Sequence, residues 1–188
     1  MFARVLSIML VLALAGCGTV ERGPSSSARA PSGGLRLPAS IVVDDGHNGS
    51  MPLQMASLVA GGGLNGAFGS RGYSMGGRSG PRHDGIDIRA PKGTAIHAAT
   101  DGQVVDLGWR GDYGRFILLR HSDQIETAYA HLSRFADRLA VGQVVRRDQV
   151  IGYVGTSGNA TGPHLHFEVR RNGRAIDPLG ATTLAADR

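Results

Sequence analysis

At 188 residues the chain is long enough for one ordinary domain with extensions and too short for two full-sized ones, so a single core is expected. Its 41% apolar and 19% charged residues fit a soluble globular protein, and 29 glycines favour many tight turns over long helices. The formal charge of +5 comes almost wholly from arginines spread along the chain, with Lys92 the only lysine; without clusters or interleaved aromatics they make no nucleic-acid surface and speak only for a polyanionic environment in general.

The first seventeen residues, MFARVLSIMLVLALAGC, carry Arg4, an apolar run from Val5 to Leu14 and small residues before Cys17, the layout of a secretory signal over residues 1–16. That run is too short for a permanent membrane span. Leu14-Ala15-Gly16-Cys17 resembles the lipobox of bacterial lipoproteins, which implies cleavage before Cys17 and lipidation of its thiol, and hence a membrane anchor facing the periplasm. Gly18 replaces the aspartate associated with inner-membrane retention, so the outer membrane is favoured over the inner. With its one cysteine used as an anchor, the chain has no disulfide, and packing or metal must hold the fold.

Residues 17–34 are rich in serine, proline and glycine and read as a tether. Residues 35–62 contain the apolar groups SIVV and MASLVA, broken by DDGHNG and a proline; they either pack on the domain or form a pro-like extension. Between 63 and 180 short apolar runs alternate with turn residues. GIDIRA, AIHAA, GQVVDLGW, RFILLRH, IETAYAHL, DQVIGYVG and HLHFEVR are candidate strands, and Arg171-Asn172-Gly173 makes a hairpin turn into RAIDPL. LSRFADRLAV has a brief helical pattern. The expected fold is all-β, a compact sandwich or barrel-like hybrid with short helical or irregular connections, followed by a tail over 181–188.

Period-two alternation sorts the polar residues of these strands. In HLHFEV, His164 and His166 share one face and look outward, while Leu165, Phe167 and Val169 enter the core. In RHDGIDIRA, His83, Gly85 and Asp87 share a face, the glycine leaving room for a ligand. In TAYAHL, Tyr129 and His131 fall on one side. Imidazole and carboxylate together suit zinc, and a catalytic zinc takes three protein ligands with one position left for water. His83, Asp87 and one histidine of the 164/166 pair supply that set; the other histidine and His131 remain for proton transfer. His47, His97 and His121 are expected to be ordinary solvated or singly hydrogen-bonded histidines.

GPRHDGIDIRAPKGTAIHAATDGQVV, YAHL and VGQVVRRDQVIGYVGTSGNATGPHLHFEV resemble the successive motifs of the M23 peptidases, the lysostaphin and LytM group of zinc endopeptidases that cut peptide cross-links of bacterial cell walls. The resemblance runs from about Gly66 to Leu179 and implies the duplicated hybrid fold of that group. It implies one zinc ion held by His83, Asp87 and His166, with His131 and His164 as the catalytic pair. The substrate it implies is a peptidoglycan peptide, and a divisome or envelope protein is the kind of partner to expect. Some relatives lack ligands and act only as activators of other hydrolases; all five positions are intact here. An autoinhibited variant would place His47 and Asn48 at the water position of the metal. No H-E-x-x-H motif is present, so the base falls to histidine. TSGNATGP and GWRGDYGR, with Trp109 and Tyr113, are expected to wall a peptide groove. DGQVVDLG and VGQVVRRDQVIGYVG also resemble lipoyl-type half-motifs, which bears on architecture alone.

Overall fold

The computed structural model describes residues 37–44, 50–70 and 82–180. The leader, Cys17, the tether, His47, Asn48 and the tail lie outside the described residues.

Fifteen strands follow one another along the chain. They are β1 (Ser40–Asp44), β2 (Ser50–Gln54), β3 (Gly63–Gly66), β4 (Gly69–Ser70), β5 (Arg82–His83), β6 (Ile86–Arg89), β7 (Ala95–His97) and β8 (Gly102–Arg110). A 3-10 turn at Gly111–Tyr113 precedes β9 (Gly114–Arg120), β10 (Ile125–Ala130), β11 (Leu132–Phe135), β12 (Val144–Val145), β13 (Val150–Val154), β14 (His164–Arg171) and β15 (Arg174–Ile176). The large sheet has the order β12-β8-β9-β10-β14-β6-β3, with β15 hairpinned onto β14. A smaller sheet, β11-β13-β7, and the β1–β2 hairpin are separate, as is the short β4–β5 ribbon. All pairings are antiparallel.

Alternation in the central strands divides the large sheet into two unlike faces. Ile86, Ile88, Ile117, Leu119, Tyr129, Leu165, Phe167 and Val169 join one core with Ile96, Leu132, Ile151 and Val154 of the smaller sheet. On the other face the paired residues run Gly66, Asp87, His166 and Ala130, with Glu168 opposite Ala128 in the next row. The all-β expectation therefore holds, and the strand that carries the two histidines is central, covered on one side by the core.

Residues 37–44 and 50–62 share that core. Ile41, Val43, Leu53, Met55 and Leu58 are fully buried in it. The Gln54 N–H donates to the Ala99 carbonyl at 2.8 Å, and the His97 N–H donates to the Leu58 carbonyl at 2.9 Å. The guanidinium of Arg171, on the core side of β14, donates to the Asp44 carbonyl at 2.6 Å. The hairpin thus sits on the side of the sheet away from the histidines.

Two local expectations change. LSRFADRLAV is strand then turns: Leu132, Arg134 and Phe135 pair with Val154, Tyr153 and Gly152, and Gly152 has no side chain where a Cβ would stand 2.4 Å from Leu132. Sheet pairing outweighs the local helical pattern. Tyr129 and His131 do not share a face. β10 ends at Ala130 and His131 takes φ 62°, which breaks the alternation; Tyr129 enters the core edge-on to Phe167, where its hydroxyl accepts from the Ala99 N–H at 3.0 Å.

Candidate metal centre

β6 and β14 are paired so that Asp87 stands directly opposite His166, and β5 brings His83 in from the neighbouring ribbon. His83 Nε2 lies 3.1 Å from Asp87 Oδ1 and 3.1 Å from His166 Nδ1. His166 Nδ1 lies 2.9 Å from the same carboxylate oxygen. All three residues are buried, so these two histidines form a floor rather than an outward-looking surface.

The outer ring nitrogens fix what the inner ones present. His83 Nδ1–H donates to the Ala67 carbonyl at 2.6 Å, and His166 Nε2–H donates to Glu168 Oε1 at 3.0 Å. Each inner nitrogen is then a lone pair, and both face a carboxylate oxygen. Three donors about 3 Å apart with no proton to share repel one another unless a cation lies between them. Zinc bonds of about 2.0–2.1 Å in tetrahedral geometry require ligand-to-ligand edges of about 3.3 Å, close to the triangle seen here. The donor set fits a zinc ion.

Glu168 was not among the expected site residues. It is fully buried, accepts from His166, from the Tyr113 hydroxyl at 2.7 Å, and from Arg170 Nε–H at 2.7 Å on its other oxygen. Burial alone would raise its carboxyl; the hydrogen bonds from His166 and Tyr113 and the Arg170 charge outweigh it and hold the group below its ordinary value. At Asp87 burial is likewise outweighed by the His166 and His83 rings set against it, which favour the charged carboxylate and leave it well below the usual range. Burial depresses His166, but Asp87 and Glu168 overcome it and raise the ring. A carboxylate behind a histidine ligand makes it more basic and fixes its tautomer. The sequence signal was the same alternation: Glu168 is two residues past His166 and so on its face.

His131 and His164 stand together beside the triangle, their ring centroids 4.7 Å apart. His131 Nδ1–H donates to the Ser157 carbonyl at 2.8 Å, and His164 Nδ1–H to the Gly162 carbonyl at 2.8 Å. Their Nε2 atoms are left as acceptors, and that of His164 is buried without a hydrogen-bond partner. Burial is the main reason that His131 is lowered to about 4, so this ring is neutral until it takes up a proton. Ser157 secures its partner twice more: its hydroxyl donates to the Leu132 carbonyl at 2.8 Å and accepts from the Arg115 N–H at 2.9 Å.

A cleft of about 850 Å³ opens over this cluster, walled by Asn65 and Phe68 and by Asn159, Thr161, Gly162 and Pro163. A smaller depression of about 220 Å³, lined by Asp84, Asp112 and Tyr113, lies across the centre and shares His83, His131 and Asn159 with the first. The TSGNATGP loop is a wall as expected. Two other expectations are revised. A Cβ on Gly85 would lie 2.3 Å from the Phe167 carbonyl and 2.9 Å from the His166 ring, so that glycine makes room for β14 and not for a ligand. Of GWRGDYGR, Asp112 and Tyr113 do line the smaller depression, the Tyr113 hydroxyl being held by Glu168, whereas Trp109, 57% exposed on β8, lines neither depression.

Three converging lone-pair donors at the junction of two depressions, with two further imidazole acceptors alongside, are what a metal-dependent hydrolase of extended peptides requires. A model of peptidase family M23 matches residues 81–178, just over half of the chain, and the chain belongs to that family. It is 47% identical over 97 residues to a DD-carboxypeptidase/endopeptidase, Mpg, of Neisseria meningitidis, a match spanning 52% of this chain and 22% of that protein. The fold resembles a zinc-containing peptidase from Vibrio cholerae, with a TM-score of 0.60 and 25% identity, covering 71% of this chain and 47% of that one. It also resembles the catalytic domain of the antimicrobial peptidase lysostaphin from Staphylococcus simulans, with a TM-score of 0.58 and 30% identity, covering 67% of this chain and 96% of that one.

Proposed function

We propose that the protein is a zinc-dependent endopeptidase that hydrolyses cross-links or stem peptides of bacterial peptidoglycan, with one zinc ion held by His83, Asp87 and His166. The observation that carries this reading is the convergence of their three lone pairs, within about 3 Å of one another, at the bottom of an open cleft. When bound, zinc supplies Lewis acidity to a peptide carbonyl and acidifies a water molecule. The chain supplies the rest. Its two depressions hold the peptide on either side of the scissile bond. Nε2 of His131 or His164 accepts the proton of the attacking water and returns it to the leaving amine, and the second ring of the pair, when protonated, donates to the developing oxyanion. Backbone carbonyls of Ser157 and Gly162 keep both rings aimed throughout. The DD specificity named for the Neisseria relative supports a bond between two D-centres as the target.

The activator reading finds less support. Both histidine acceptors and all three donors are present, and no described residue of 37–62 lines the cleft. Replacing Asp87 or His166 by alanine is expected to abolish both bound zinc and digestion of purified peptidoglycan. Replacing His131 or His164 should leave one zinc per chain while turnover falls by about 100-fold or more. Activity surviving in all four variants would remove the site. We further propose that Cys17 is lipidated and tethers the domain to the envelope, the outer membrane being favoured; a Cys17→Ser protein that still fractionates with membranes would count against this.

A further inference from the structure

We propose that Arg89 is a specificity-determining residue that seats a free carboxylate of the peptide substrate in the larger cleft, a reading that rests on the peptidase function above. β6 carries Arg89 two residues past Asp87, on the same face, and pairs it with His164 of β14. An extended strand advances about 3.4 Å per residue, so its backbone is about 7 Å from that of the metal donor. It is one row outboard of the chemistry. Arg89 lines the cleft, is exposed, and has no ion-pair partner among the described residues. Arg82, Arg110, Arg120, Arg134, Arg147 and Arg170, by contrast, are each paired with a carboxylate.

The surroundings leave that charge unanswered. Asp87 is the one carboxylate among the cleft's described lining residues, and it faces the metal position. Across the centre the smaller depression contains Asp84 and Asp112, with Arg82 already paired to Asp84. The site is thus polar along the path of a bound peptide, cationic on the larger arm and acidic on the smaller. A guanidinium presents a planar fork that matches a carboxylate through two parallel N–H bonds. A carboxylate two or three residues from the scissile carbonyl would meet it, fixing which way the peptide lies and raising the association rate.

The test offers cross-linked muropeptide dimers with their carboxylates free and after carbodiimide-driven amidation. The zinc-loaded wild type is expected to show a KM about tenfold lower for the free form. Arg89→Ala should abolish that preference, Arg89→Lys recover part of it, and Arg89→Glu reverse it, with turnover of the amidated form little changed throughout. An equal preference in wild type and Arg89→Ala, or none in the wild type, overturns the proposal. Calorimetric binding of the same pair to zinc-loaded His131→Ala protein, with and without Arg89→Ala, provides a readout that needs no turnover. Arg89-dependent binding of the free form without any cleavage by the wild type would retire the endopeptidase function and keep the carboxylate seat. Cleavage without preference would do the reverse, and neither binding nor cleavage would overturn both.

Discussion

Glu168 shows how much of the centre depends on a group that need not touch metal or substrate. Its carboxylate takes the Nε2 proton of His166 in hydrogen bonding and so leaves Nδ1 as the lone pair in the triangle. Glu168→Gln keeps an acceptor but removes the charge, and is expected to weaken zinc binding by about 10–100-fold, as read in a competition titration with a chromogenic chelator. The same titration should show a pH dependence of definite sign. Protons compete with the metal for His166, and the raised basicity of that ring makes the competition begin at a higher pH than for an isolated imidazole. Affinity should therefore fall on acidification, by about tenfold per pH unit for each proton taken up. Ligand candidates could be read from residue type and alternation; the tautomers of His83 and His131 could not, because they depend on the Ala67 and Ser157 carbonyls, which lie far along the chain and which no local pattern brings to the rings.

At the level of elements, register decides the site. The β6–β14 pairing sets Asp87 against His166 and Arg89 against His164, and Gly85 permits the approach. Alternation within HLHFEV and GIDIRA was enough to anticipate which side chains share a face. It failed at His131, where a single left-handed residue after β10 swings the ring toward His164. What steadies that turn is the contact between the 3-10 segment and the loop after β13. Gly158, at φ +72°, packs its α-carbon where a Cβ would stand 2.3 Å from the Asp112 carbonyl. Gly158→Ala is strained on both counts. It should displace Ser157 and with it the carbonyl that accepts from His131 Nδ1–H, so turnover is expected to drop by about 100-fold or more, the scale of losing the base, while zinc stoichiometry stays at that of the wild type.

For the molecule as a whole, the separation of the two sheet faces is the governing fact. The apolar side is completed by residues well upstream of the family match, which begins at residue 81. Sequence composition left residues 35–62 open between a packed segment and a pro-like one because their apolar groups are short and interrupted; only the tertiary arrangement shows Ile41, Val43 and Leu53 filling the core. Leu53→Ala should cost about 2–5 kcal/mol, measured by urea unfolding. A chain beginning at Gly62 should lose stability without any gain in wall digestion. A truncated protein that melts at the wild-type temperature would contradict this packing.

His83 belongs to the β4–β5 ribbon, whereas Asp87 and His166 belong to the large sheet. A cation held among them would act as a rivet joining two pieces that otherwise meet through few backbone hydrogen bonds. Chelation should then quicken amide exchange at Gly69 and His83 while leaving the interior of β9 and β10 untouched, so that the loss of one ion would be felt as a loosening of one rim of the cleft.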